Sequence, residues 1–305
     1  MLVWILTVTM ISVTAFVHPI PIPDRSPFVL EVQKIIYEFQ ADDFALPSPR
    51  EDDWPYSEEN FRRLDNSNDA IFYESPRFVL HIEERTIQSL TSFYRNELTS
   101  LSKRRRNGHK LDLLDLCSSW VSHLPNDGID SVSLGRVVGI GMNEKELSAN
   151  KQLNEYYVQD LNENPSLQRF QDNSFDVVCI TVSVDYLTKP KQVFQEIYRI
   201  LRPDGIALIS FSNRCFATKA IAMWLEADDI GRMTIVASYF HYSSVIPWQS
   251  IVALDLSPPR LTPPERPKIE AILSDPTKGW AWMNTVAAVN KANAADPLFV
   301  VKAIK

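Results

Sequence analysis

Four short apolar runs, at residues 111–116, 137–140, 175–182 and 205–211, are separated by stretches of helical periodicity, and this alternation limits the folds open to the chain. The runs are too short for buried helices and have few polar interruptions, which is the pattern of parallel strands covered on both faces. Between them, residues 145–153 read as a helix. Residues 192–201 read as another, with Val193, Ile197, Ile200 and Leu201 inward and Pro203 and Gly205 as stop signals. Strands alternating with helices of this length specify an α/β, doubly wound parallel sheet with helices on both faces. Ligands of such sheets bind beyond the carboxyl ends of the strands, so the residues just after each run are the candidate site.

Asp115 stands at the end of the first run and is followed by Cys117, Ser118, Ser119, Trp120 and Val121. Asp160 follows the segment 155–159. Further on come Ser174-Phe175-Asp176-Val177-Val178 and Leu201-Arg202-Pro203-Asp204-Gly205. This order resembles the class I S-adenosylmethionine-dependent methyltransferases, whose usual signatures are hydrophobic-D-hydrophobic-G-x-G-x-G, D-x-x-x-L-P, S-F-D-x-V and R-V-L-K-P-G-G. The last two match closely and the first does not. Over residues 78–305 the resemblance implies a Rossmann-like, seven-stranded, mostly parallel sheet with an N-terminal helical extension, closed by an antiparallel pair at 250–256 and 297–303. It also implies S-adenosylmethionine as cofactor and methyl transfer to a small-molecule acceptor. In that scheme Asp115 binds the methionine amino group directly or through water. Asp160 reads the adenine amino group, with Leu161 beside it.

The departures fall on the cofactor loop. Eight glycines occur in the chain, against about twenty at the usual ~7%, and none lies between Leu111 and Asp127. Glycines in this loop would permit positive φ and close backbone approach. Cys117, Ser118 and Ser119 are small, and the serine hydroxyls can hydrogen-bond a carboxylate, so the pocket is expected to be reshaped without being closed. Trp120 is expected to pack at the start of a following helix. The family's ribose-gripping acid aligns with Gly141, which leaves Asn143 or Glu144 to take that role. A different reading follows from the same loop: a non-catalytic methyltransferase-like binding or assembly protein that has lost its cofactor.

On the acceptor side, Tyr186, Asn213 and Arg214 follow strands that flank the transferred group. Arg214 suits an acidic substrate, and Tyr186 or His241 suits proton removal. The plainer readings are that Arg214 pairs with a surface acid and His241 packs among aromatics. A helix from Glu83 places Ile87, Leu90, Phe93, Tyr94 and Leu98 on one face, with Tyr94 either a cofactor contact or core. Other classes fit poorly. Gly139-Ile140-Gly141-Met142-Asn143-Glu144 lacks the third glycine of a dinucleotide turn, and the serines near His123 lack the glycines of a nucleophile elbow. A net charge of −7 argues against nucleic acid as partner, despite the cluster Lys103-Arg104-Arg105-Arg106. Cys117, Cys179 and Cys215 are expected to be free thiols, with no metal spacing.

Residues 1–15 read as a signal peptide, because 2–17 carry no charge and Val13-Thr14-Ala15 offers a cleavage site. Phe16-Val17-His18-Pro19 resembles the junction of bipartite presequences for secondary plastids. Plastid import or the secretory pathway is therefore expected, with membrane contact only through an uncleaved signal segment. Residues 16–60 read as presequence, extended tether and loop. Residues 61–305 form the main domain, with a proline-rich and helical insert at 258–295.

Overall fold

The computed structural model describes residues 34–50, 52–105, 108–125, 132–258 and 296–305, all within the compact unit Val32–Lys305. The expected signal peptide, the presequence up to residue 33 and all but the first residue of the 258–295 insert lie outside the described residues.

In chain order the elements are β1 (Lys34–Phe39), a single turn α1 (Asp69–Phe72), the long helix α2 (Glu84–Arg104), β2 (Leu111–Leu116), β3 (Leu134–Gly141), α3 (Glu144–Ala149), β4 (Glu155–Val158), β5 (Phe175–Thr181), α4 (Pro190–Ile200), β6 (Leu201–Phe211), α5 (Ala222–Glu226), α6 (Asp229–Ser243), β7 (Ser250–Asp255) and β8 (Phe299–Ile304). They build one sheet in the order β1-β7-β8-β6-β5-β2-β3-β4. Strands β2 to β6 are mutually parallel, and β8 is antiparallel to both β6 and β7.

Alternation along each strand divides the core in two. Leu111, Leu113, Val177 and Cys179 face Leu90, Phe93, Tyr94 and Leu98 of α2. On the other face Leu114, Leu116, Val178 and Ile180 meet Val193, Phe194 and Ile197 of α4 and Val236, Tyr239 and Phe240 of α6. Burial of this order, at roughly 25 cal/mol per Å² of apolar surface, is the main term holding the layers together. No helix among the described residues is long and apolar enough to cross a membrane.

The structure departs from the sequence reading in four places. The sheet has eight strands, because β1 adds an antiparallel edge against β7 in a segment read as tether. Residues 41–60 are not a free loop: Phe44 stacks on His241 with ring centroids 4.1 Å apart, and Trp54 stacks on Tyr239 at 5.8 Å. Helix α4 ends at Ile200, and Leu201 already pairs with Phe175, so the segment with Pro203 is extended and Asp204 takes φ +60° before Gly205. Helix α3 is shorter than its apolar pattern, ending at Ala149.

At the amino ends of β2 and β5, opposite the candidate site, the fully buried Asp176 braces the sheet. It is paired with Arg202 Nη1 (2.5 Å), His109 Nε2 (2.8 Å) and Arg105 Nε (3.1 Å), and it accepts from the Asp112 backbone N–H at 3.0 Å. Arg202 Nη2 also reaches Asp112 at 2.8 Å. This is a bracing role for the acid of the S-F-D segment, and it takes Arg105 of the basic cluster into the fold.

Candidate functional site

The loop after β2 makes its close turn without glycine. Cys117 takes φ +56°, the left-handed conformation that favours glycine. The Ser118 N–H donates to the Ile140 carbonyl at 2.7 Å, which pulls the loop across the end of β3. There the chain is bare: a Cβ on Gly141 would lie 2.1 Å from the Ser118 carbonyl oxygen. The bare position that the close approach needs therefore lies on the neighbouring strand and not in the loop.

Beneath the loop, Asp115 is 2% exposed and accepts hydrogen bonds from Ser118 Oγ (2.6 Å) and Ser122 Oγ (2.7 Å), with Cys179 Sγ at 3.6 Å. Burial pushes its carboxyl up to about 6, against the opposing pull of these donors. The same burial, followed by the nearby Asp115, pushes the Cys117 thiol up to about 12, so it is a neutral, unreactive group. Ser119 Oγ donates to Glu146 Oε2 at 2.6 Å, while Glu146 Oε1 accepts the Arg77 backbone N–H at 2.6 Å.

These groups open into a cleft of ≈ 550 Å³ at the carboxyl ends of the parallel strands. The strands supply Asp115, Cys117, Ser118 and Ser119 from the β2 end, Gly141, Met142 and Asn143 from β3, Asp160 and Leu161 from β4, Thr181, Val182, Ser183 and Tyr186 from β5 and Asn213, Arg214 and Cys215 from β6. Val182, at the end of β5, holds φ +44°, an uncommon conformation for a β-branched side chain. The remaining wall is a strap, residues 69–81, that the motif reading did not anticipate. Asn143 Nδ2 donates to the Tyr73 and Glu74 carbonyls (2.8 and 3.1 Å). Trp120 Nε1 donates to the Val79 carbonyl at 3.0 Å. At the strap's start the buried Asp69 is paired with Arg63 (2.8 Å) and with Lys219 (3.1 Å), and it accepts from Asn162 Nδ2 at 2.9 Å.

Of the site residues expected from the sequence, all but Glu144, Tyr94 and His241 border this cleft, but not all of those keep a free polar atom. Asp160 is half-buried, and one of its oxygens accepts the Asn162 N–H at 2.8 Å. Leu161 is buried beside it. Asn143 is engaged on both sides: its oxygen caps α3 at Lys145 N and Glu146 N while its amide holds the strap, so it holds the cleft wall and has no hydrogen-bonding atom to spare for a ribose. Glu144 is exposed and does not line the cleft; Glu146, two residues on, does. The Tyr186 hydroxyl accepts the Phe216 N–H at 2.8 Å. Arg214 Nε pairs with Asp296 at 2.6 Å, the surface-acid alternative.

Three further expectations change. Tyr94 is core: its hydroxyl meets Thr181 Oγ1 at 2.8 Å and the ring does not border the cleft. His241 lies away from the cleft, stacked on Phe44 with Nε2 2.7 Å from the Leu46 carbonyl. Trp120 starts no helix and stands at the cleft's edge beside Phe78, with ring centroids 6.3 Å apart. The sequence reading missed Arg77, His81, His123 and Glu146, all of which line the cleft. No spacing marks them: Arg77 meets Glu146 across 69 residues of chain, and Glu146 meets Ser119 across 27. Cys117, Cys179 and Cys215 are free thiols, and no group of three or more metal-ligating side chains occurs among the described residues.

A family model described as a methyltransferase domain matches residues 121–209, a span that begins just past the glycine-free loop and ends inside β6. No curated protein sequence matches the chain. Among solved structures, the [4+2]-cyclase SpnF is similar at 15% identity, covering 69% of this chain and 81% of that one, with a TM-score of 0.39. A Haemonchus contortus phosphoethanolamine N-methyltransferase 2, solved with S-adenosyl-L-methionine, is 16% identical over 72% of this chain and 56% of its own, at 0.38. A putative methyltransferase from Bacillus halodurans is 15% identical over 69% and 99%, at 0.39.

Proposed function

We propose that this chain is a class I S-adenosylmethionine-dependent methyltransferase that transfers a methyl group to a small-molecule acceptor bound in the cleft, a reading supported by the methyltransferase-domain match over 121–209 and by a parallel sheet closed with an antiparallel pair. The observation that carries the reading is the joint placement of Asp115 and Asp160 on one cleft, at the ends of β2 and β4. The cleft's ≈ 550 Å³ falls within the roughly 300–1,000 Å³ common for small-ligand sites. Gly141 and the small side chains of the 117–119 loop keep its floor open, so the residues present fit the cofactor.

S-adenosylmethionine supplies an activated methyl on sulfur, which leaves the protein to orient and to exclude water. Asp115 has no cation beside it among its partners, and its buried carboxylate suits the amino group of a methionine moiety. Asp160 keeps an oxygen for an adenine amino group, and Leu161 and Met142 offer apolar surface to its ring. The strap forms the outer wall, fixed by Asn143, Glu146 and Trp120, and it shields the reacting centre from water. Tyr186 stays protonated through burial, which raises its phenol, and it is a hydrogen-bond donor to the acceptor in place of a base.

One observation favours a second reading, a binding or assembly protein without cofactor. Ser118 and Ser122 already satisfy Asp115, and Ser119 is already spent on Glu146. Calorimetric titration of the purified chain with S-adenosylmethionine and S-adenosylhomocysteine separates the two. Micromolar binding is expected, and Asp160→Ala should weaken it roughly ten- to a hundred-fold, the loss of a charge-assisted hydrogen bond. No affinity at millimolar ligand leaves the second reading in place.

A further inference from the structure

We propose that Arg77, His81 and His123 form a carboxylate-recognition corner in the cleft. All three line it, from the strap and from the loop after β2. The Arg77 guanidinium lies over the Phe72 ring, 4.3 Å from its centroid, with one nitrogen donating to the Phe72 carbonyl at 2.7 Å. Its other terminal nitrogen, Nη1, is shielded from solvent and has no hydrogen-bond partner. Neither imidazole has a hydrogen bond among the described residues, although His81 packs edge-on to Phe216 with ring centroids 5.7 Å apart. His123 also holds φ +54°, a conformation costly for a non-glycine residue and fixed here by Thr91, whose hydroxyl donates to the His123 carbonyl at 3.0 Å.

The unmet groups are all donors or groups that can become cations. Burial holds both imidazoles below their usual range, His123 down to about 4, so at neutral pH each offers one N–H. The acid that faces His81, Glu146, already has both oxygens occupied, by Arg77 N and Ser119 Oγ. A buried guanidinium nitrogen without a partner costs free energy that a carboxylate would recover. The sign also complements the far side of the same loop. Asp115 there suits an ammonium, so the two together suit the zwitterionic end of an amino acid. The inference rests on the cofactor-binding reading above for that source of the carboxylate. An acidic acceptor is the other source with the same chemistry.

Two ligands and one probe separate these cases. S-adenosylhomocysteine and 5′-methylthioadenosine share the nucleoside and thioether, and only the first has the amino-acid end. If the donor supplies the carboxylate, Arg77→Gln, His81→Asn and His123→Asn each weaken S-adenosylhomocysteine roughly ten-fold or more and leave 5′-methylthioadenosine unchanged. Asn tolerates positive φ, so His123→Asn keeps the backbone. Arg77→Lys replaces Arg77→Gln if the thermal transition falls. If the acceptor supplies it, those affinities stay level, and malonate added to the S-adenosylhomocysteine-saturated protein shifts the His81 and His123 ring proton resonances, an effect lost in Arg77→Gln. Should S-adenosylhomocysteine bind, all variants match the parent and malonate move neither histidine, the proposal is overturned. Where neither nucleoside binds, the methyltransferase reading fails on its own, and the malonate shift in the ligand-free protein decides the corner by itself.

Discussion

A methyl group at Gly141 would stand 2.1 Å from a backbone oxygen, whereas one at Gly139 would meet first the Leu153 side chain, at 2.5 Å. A side-chain terminus can rotate away and a carbonyl fixed by its neighbours cannot. Gly141→Ala is therefore expected to cost about 1–3 kcal/mol through overpacking, with Gly139→Ala costing less, measured as urea midpoints; equal losses would mean that the loop moves freely off β3. Asp115 gives a second test at this scale. Its folded-state value, about 6, lies above the roughly 3.9 of an unfolded aspartate, so its contribution is fully present below that lower value and is lost as pH rises through about 6. Asp115→Asn removes the titration, and its stability relative to the parent should improve by on the order of 1–3 kcal/mol between about pH 4 and about pH 8. Asp185, pushed up to about 7 by burial, adds pH dependence of the same sign in both proteins and cancels from the comparison. A difference that is flat with pH would show that Asp115 is ionised in the fold at no cost.

Helix α2 and the strands at 111–116, 137–140 and 175–181 were legible in the sequence, because a buried strand or an amphipathic helix leaves its period in the order of apolar residues. Edge strand β1 was not: Lys34 to Glu38 are exposed, so pairing with β7 rather than burial makes it a strand. The end of α4 was misread for a related reason, since Pro203 and Gly205 stop a helix that Ile200 has already ended to let Leu201 pair with Phe175. That Asp115, Asp160 and the 117–119 loop would meet at one cleft was legible from their order, and the strap was not, since Asn143, Glu146 and Trp120 hold it through contacts distant in the chain. The brace at the opposite ends of β2 and β5 yields a prediction at this scale. Asp176→Ala leaves the guanidinium groups of Arg202 and Arg105 without their shared acid, and both keep about a quarter of their side chains exposed, 26% and 22%. The loss should be about 2–3 kcal/mol, below the 3–5 typical of a fully buried pair, and read as a lower thermal midpoint with cofactor affinity retained. A protein that loses affinity in proportion to stability would tie the brace to the cleft.

At the scale of the whole molecule, the eighth strand closes an edge. Ile251, Val252, Ala253 and Leu254 of β7 are buried, and on one side their backbone pairs only with β1. A chain starting at Val32 keeps that cover, and one starting at Ala41 bares a hydrophobic edge of the kind that templates aggregation. The longer form is expected to stay monodisperse by light scattering and the shorter to self-associate; equal behaviour would make β1 dispensable. The crossing of Ser118 over Gly141 has a consequence for mutation. Any side chain at Gly141 collides with the loop, so no other residue enters that strand end by one substitution. The loop would have to withdraw first, and until it does Gly141 is held in place by a neighbour. The two sites form one epistatic unit, in which a change at Gly141 is tolerated only together with a change in the loop.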